Sequence, residues 1–238
     1  MKEHNNFFKG ITDGLPICLG YISVAFAFGI FAIENGLSIF EAILISMTNV
    51  TSAGQLAGVP IIVSGGTLIE LAVAQLVINL RYALMSVSLS QKLGNSVRMF
   101  DRFVISFVNT DEVFAVASGK DGKVGRIYLY GLILTPYLGW TLGTAFGAFA
   151  GNILPSSVVS ALGIAIYGMF VAIVIPHTKK SKPTALCVLL AVVLSCIFKY
   201  VPVLAEVPAG FVIIICAVLA SGIFAFVSPV VEEVESDE

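Results

Sequence analysis

Four ionisable side chains, Glu70, Arg81, Asp111 and Glu112, stand within or at the margin of long apolar runs. Charge is costly at membrane depth, so such residues are functional candidates by default. Arg81 carries a planar fork able to grip a carboxylate through two parallel hydrogen bonds. Asp111 or Glu112 offers a seat for a transported proton, because burial and a neighbouring cation pull a carboxyl's proton affinity in opposite directions. The densest polar patch at the same depth is Asn49 to Gly58, which includes Ser52, Gly54 and Gln55. Its glycines let backbone approach a ligand closely, and amides or carbonyls freed at a helix break can bind the charged ends of a zwitterion.

Each feature also has a plainer reading. Glu70 lies one turn inside its run and reaches the interface, so it is read as a boundary residue. Arg81 precedes the end of its run at Ser90 by about 13 Å, a depth from which snorkelling barely reaches water. A structural arginine is the alternative to a cavity-lining one. Glu70 is about 16 Å away along the axis and cannot be its partner. Gln75, Asn79, Tyr82, Ser86 and Ser90 form one stripe of that helix, either packing glue or the lining of a solute path. Arg81 falls about 200° around from Asn79. Asp111 and Glu112 diverge by about 100° on a helix, so at most one should face a given cavity; a place at the interface is the alternative for the pair. Kinks tolerated for packing alone are the alternative for Asn49 to Gly58. Gly131, Thr135, Gly139, Gly143, Gly147 and Gly151 recur every four residues, the spacing of a close helix crossing.

The elements that hold these residues follow from composition. Hydrophobic residues make up 58% of the 238 and charged ones 12%, against roughly 25% charged in a soluble chain. A soluble domain is excluded, and an all-α polytopic membrane bundle is expected. Apolar runs fall at 14–33, 42–63, 67–90, 103–118, 127–150, 157–176, 184–201 and 207–228. Runs 42–63 and 103–118 are poor spans, interrupted by Asn49 to Gln55 and by Asn109-Thr110-Asp111-Glu112. If both return to the side they left, eleven of the thirteen basic residues lie on the side of the N-terminus, as the positive-inside rule asks. Six full spans plus two discontinuous or re-entrant segments are therefore expected, with both termini cytoplasmic; eight spans is the alternative. Residues 1–229 read as a single transmembrane domain, and 230–238, with five carboxylates and no base, as a disordered acidic tail.

Other chemistries find no support. No basic stripe interleaved with aromatics suggests nucleic-acid binding. Cys18, Cys187, Cys196 and Cys216 are scattered singly through apolar runs and read as reduced packing residues. His4 and His177 lie outside the runs, and neither an HExxH nor a P-loop pattern occurs. No enzyme, metal or cofactor is expected.

Gly14-Leu15-Pro16 with Val24-Ala25-Phe26-Ala27-Phe28-Gly29, then Ser52-Ala53-Gly54-Gln55, Asn79-Leu80-Arg81-Tyr82 and Thr110-Asp111-Glu112-Val113-Phe114-Ala115 resemble the AzlC family over about residues 7–228. Those proteins are large subunits of bacterial branched-chain amino-acid transporters, linked to azaleucine resistance and amino-acid export. Tyr82 departs from the pattern, since many members have His after the Arg. The resemblance implies a cell-membrane permease working with a small AzlD-like membrane subunit on valine, leucine, isoleucine or related neutral amino acids. A neutral amino acid needs a cation for its carboxylate, acceptors for its ammonium and an apolar wall. The expected substrate-binding set is therefore Arg81, Asn79, Gln55, Gly54, Ser52 and Asn49, with Asp111 and Glu112 as proton-coupling candidates. A passive channel and a membrane scaffold subunit are the rival readings.

Overall fold

From Phe7 to Glu34 the chain forms α1, 28 residues long, started by Asn6, whose side chain accepts the Lys9 amide. At 1.5 Å per residue it extends about 42 Å, enough to cross a hydrocarbon core of about 30 Å. The computed structural model describes residues 3–155, 157, 171, 174, 175, 178, 179, 181–204, 206, 207 and 209–227. After α1 come α2 (Ile39–Thr48), α3 (Ser52–Val63), α4 (Leu68–Lys92), α5 (Met99–Phe107), α6 (Asp111–Ser118), α7 (Arg126–Ile153), α8 (Lys182–Tyr200) and α9 (Ala209–Val227). Among the described residues, α1, α4, α7 and α8 are long and apolar enough to cross a membrane. Most of the expected span 157–176 and the acidic tail 230–238 lie outside the described residues.

Both suspect runs are broken helices. In the first, Asn49 and Thr51 take extended backbone between α2 and α3; in the second, Val108-Asn109-Thr110 separates α5 from α6. A threonine restarts the helix in each case: Thr51 Oγ1 accepts the Gly54 amide and Thr110 Oγ1 the Val113 amide. These caps satisfy donors that a helix start leaves free, which matters most where no water can do so.

A small knot of backbone fixes which end each element occupies. β1 (Glu3–His4) pairs in parallel with β2 (Lys123–Val124), and Leu93 bridges to Val124. Lys92 Nζ donates to Lys120 O at 2.9 Å, and Asp13 pairs with Lys9 at 2.9 Å and Lys120 at 2.7 Å. The N-terminus, the end of α4 and the loop after α6 thus share one end of the bundle. It follows that α4 runs antiparallel to α1, and that α5 and α6 enter from this end and return to it. At the other end Leu37 packs with Phe28, Phe31, Val59 and Ala148, so α2 and α3 enter from and return to that end. The described fold therefore contains twice over a long helix followed by two short helices that return to the end they started from, the second unit inverted relative to the first. Glu70 sits in the first turn of α4 beside its Thr67 cap, where an acidic residue suits the helix dipole.

The every-fourth-residue ladder on α7 is a seam within the chain, closed against α1 running parallel to it. A Cβ built on Gly139 would lie 2.7 Å from Cys18 O, on Gly143 2.6 Å from Ile22 O, and on Gly131 2.3 Å from Phe7 O. Such backbone-to-backbone approach is open only to residues without a side chain.

Candidate functional site

The two helix breaks, reaching in from opposite ends, meet beside the middle of α4. The polar stripe of α4 faces them. Gln75 Nε2 donates to Gly54 O at 2.8 Å, Asn79 Oδ1 accepts the Thr51 hydroxyl at 3.0 Å, and Ser86 Oγ accepts Asn109 Nδ2 at 3.2 Å. The stripe therefore glues both breaks to the helix, and in part it lines space as well. Between the breaks lie two adjoining cavities of about 200 and 80 Å³, which share Val50, Thr51, Tyr82 and Thr110 on their walls.

The larger of the two holds Asn49, Asn79 and Asn109. The smaller holds Tyr21, Ser52, Arg81, Asp111, Glu112 and Trp140. Here Arg81 Nη2 and Asp111 Oδ2 form an ion pair at 2.9 Å, both side chains about half exposed. The guanidinium lies over the Tyr82 ring, 5.0 Å from its centroid, within range of a cation–π attraction. Glu112 accepts the Tyr21 hydroxyl. Tyr21 packs edge-on against Trp140 with ring centroids 5.1 Å apart.

Of the residues expected from sequence, Arg81, Asp111, Glu112, Ser52, Asn49 and Asn79 line this pair of cavities. Gln55 does not. It is buried elsewhere, its Nε2 donating to Ser46 Oγ at 2.9 Å, and Ser46 in turn meets Thr144 at 2.6 Å. Gly54 serves packing: its carbonyl holds Gln75, and a Cβ on it would stand 2.5 Å from Gln75 Oε1. The expectation that only one of Asp111 and Glu112 faces a given cavity is corrected. Both reach the smaller one, because they occupy the first turn of a helix whose start points into it.

Tyr21, Thr51, Asn109, Thr110 and Trp140 are among the lining residues that lie outside the expected set. Trp140, the sole tryptophan, is 3% exposed, and its Nε1–H has no hydrogen-bond partner among the described residues. A tryptophan N–H usually finds a partner when buried, and this one lies on a residue that lines the same cavity as Arg81. No group of three or more His, Cys, Asp or Glu able to hold a metal occurs among the described residues. The arrangement thus presents a guanidinium for an anion, with carboxylates for a cation or a proton.

Four long apolar helices and two broken ones that meet around an ion pair define an all-α protein of membrane type. The AzlC protein family model matches residues 16–154, and this chain belongs to the AzlC family. It is 29% identical over 194 residues to the inner membrane protein YgaZ of Escherichia coli, covering 79% of this chain and 78% of that one. It is 34% identical over 175 residues to an uncharacterized membrane protein of Archaeoglobus fulgidus, covering 73% and 76%. A Helicobacter pylori membrane protein is 21% identical over 155 residues, covering 62% and 67%. No solved structure matches the chain.

Proposed function

We propose that this protein is the large subunit of a secondary transporter that moves branched-chain or related neutral amino acids across the bacterial cell membrane. It works with a small AzlD-like membrane subunit and exports its substrate in exchange for protons that enter down their gradient. The single observation that carries the reading is the Arg81–Asp111 pair at 2.9 Å, placed in a cavity between two helix breaks.

A zwitterion is complementary to an open ion pair. Its carboxylate takes the Arg81 fork, aided by the Trp140 N–H, and its ammonium takes Asp111, while Val50 and Val24 line the wall for the aliphatic chain. Asp111 freed from Arg81 holds either the ammonium or a proton, not both. That exclusion couples inward proton movement to outward movement of substrate when the outside is the more acidic. Glu112, held by Tyr21, is the structural member of the carboxylate pair and Asp111 the coupling member.

Counterflow of labelled leucine into proteoliposomes preloaded with unlabelled leucine, with and without the small subunit, tests the reading. Saturable counterflow that is lost in Arg81→Gln is expected. Flux that neither saturates nor shows counterflow would mean a channel. No flux attributable to this chain, with Arg81→Gln and Asp111→Asn behaving as wild type, would mean a scaffold.

A further inference from the structure

A second buried polar atom near the site lacks a partner. Asn109 is 4% exposed, and its Oδ1 has no hydrogen-bond donor among the described residues, although its Nδ2 donates to Ser86 Oγ at 3.2 Å. An acceptor buried without a donor is costly to maintain, and this one is held in a fixed orientation by the amide's other half. It sits on the break between α5 and α6, two residues from Asp111.

Asn109 also lies on the walls of two neighbouring cavities, which share Ser106 as well. It lines the 200 Å³ cavity between the breaks and, with Ser86 and Ser106, a cavity of about 350 Å³ between α4 and α5. The walls of the second cavity are largely apolar, with Leu89, Leu93 and Phe103 among them. Leu93 belongs to the knot that gathers the N-terminus and the loop after α6, so this cavity extends from the central site toward the N-terminal end of the bundle. Arg102 on its wall favours a solute that brings a carboxylate over a simple amine.

We propose that Asn109 is a substrate-contacting residue, its Oδ1 accepting a hydrogen bond from the ammonium of an amino acid that enters from the N-terminal end through the α4–α5 cavity. The proposal rests on the transporter reading above and adds to it a neutral acceptor, independent of the coupling carboxylate, together with an access route. An ammonium has three donors, so Asp111 and Asn109 can share it. A carboxylic acid with the same aliphatic chain and no ammonium has nothing to offer Asn109 Oδ1 and gains nothing from it.

The sole tryptophan, Trp140, lines the adjoining cavity, so intrinsic fluorescence of the purified protein reads binding directly. Leucine and 4-methylpentanoate are titrated against wild type, Asn109→Leu and Asn109→Asp. Asn109→Leu should weaken leucine roughly 10- to 100-fold, the loss of one hydrogen bond to a charged group, and leave 4-methylpentanoate unchanged. Asn109→Asp should tighten leucine and weaken 4-methylpentanoate. Equal losses for both ligands in Asn109→Leu would mean a structural role and overturn the proposal, as would unchanged leucine binding. If Asn109→Leu fails to fold, an unchanged ratio of the two affinities in Asn109→Asp overturns it. Wild-type protein that binds neither ligand would defeat the transporter reading itself, and this proposal with it.

Discussion

Replacing Gly147 with Ala adds one methyl group at the tightest point of the α1–α7 seam. The new Cβ would stand 2.0 Å from Phe26 O and 2.7 Å from the carbonyl carbon. Ordinary contact begins at 3.4 Å, so the two backbones must part by about 1.4 Å there. A rigid carbonyl cannot rotate away as a side-chain tip can, and the neighbouring steps at Gly143 and Gly139 are also closed, at 2.6 and 2.7 Å. Overpacking of this kind costs roughly 1–3 kcal/mol, or about 3–10 °C in Tm for a chain of this length. Gly151→Ala is the matched control, because its Cβ meets only the Ile33 side chain, at 3.3 Å. Alanine's better helix propensity, worth about 1 kcal/mol, favours both variants alike and cancels in the comparison. Thermal unfolding in detergent, followed by loss of monodisperse protein, should show Gly147→Ala falling well below Gly151→Ala. Equal midpoints for the two variants would refute a backbone-to-backbone seam.

Three further outcomes are expected. Trp140→Phe keeps the ring beside Tyr21 but removes the N–H, so the leucine concentration that half-saturates counterflow should rise roughly tenfold with the fold intact; an unchanged value would remove Trp140 from the site. In a cysteine-free background, Asn95→Cys and Asp121→Cys should react with an impermeant thiol reagent from one side of the membrane and Ser64→Cys from the other; a split between the first two would reject the re-entrant arrangement of α5 and α6. The Tyr130 hydroxyl and the Arg98 amide, both donating to Asp101, hold its carboxyl below the usual carboxylate range. That contribution to stability is present above the unfolded-state value and is lost as pH falls through the lower folded one. Tyr130→Phe should therefore move the acid-side loss of thermal stability to higher pH, and an unmoved profile would discard the pairing.

The broken helices were legible because Asn, Thr, Gly and Pro interrupt apolar runs in ways that neither a soluble core nor a lipid-facing span explains. The distribution of Lys and Arg gathers the N-terminus, the end of α4 and the loop after α6 on one side, and the β1–β2 knot joins those same segments by hydrogen bonds. Gln55 lies in the polar patch, and that alone points it to the site. Its true direction depends on where α3 restarts, and only the Thr51 cap reveals that Ser52 opens toward the cavity while Gln55 turns toward Ser46. Asp111 and Glu112 were held apart by an angle valid inside a helix and not at a start that points into a cavity. Trp140 and Tyr21 were hidden because a single aromatic in an apolar span looks like packing. Each becomes a site residue only when α1 and α7 close together and carry both to the breaks.

If the Arg81–Asp111 pair binds substrate and couples it to protons, binding and coupling separate when Asp111 alone loses its charge. The most direct test compares leucine efflux driven by an imposed pH gradient with leucine-for-leucine exchange, in the same proteoliposomes, for wild type and Asp111→Asn. Asparagine accepts a hydrogen bond from the ammonium yet cannot carry a proton. Exchange should therefore survive while gradient-driven efflux disappears. Gradient-driven efflux at the wild-type rate in Asp111→Asn would contradict the account.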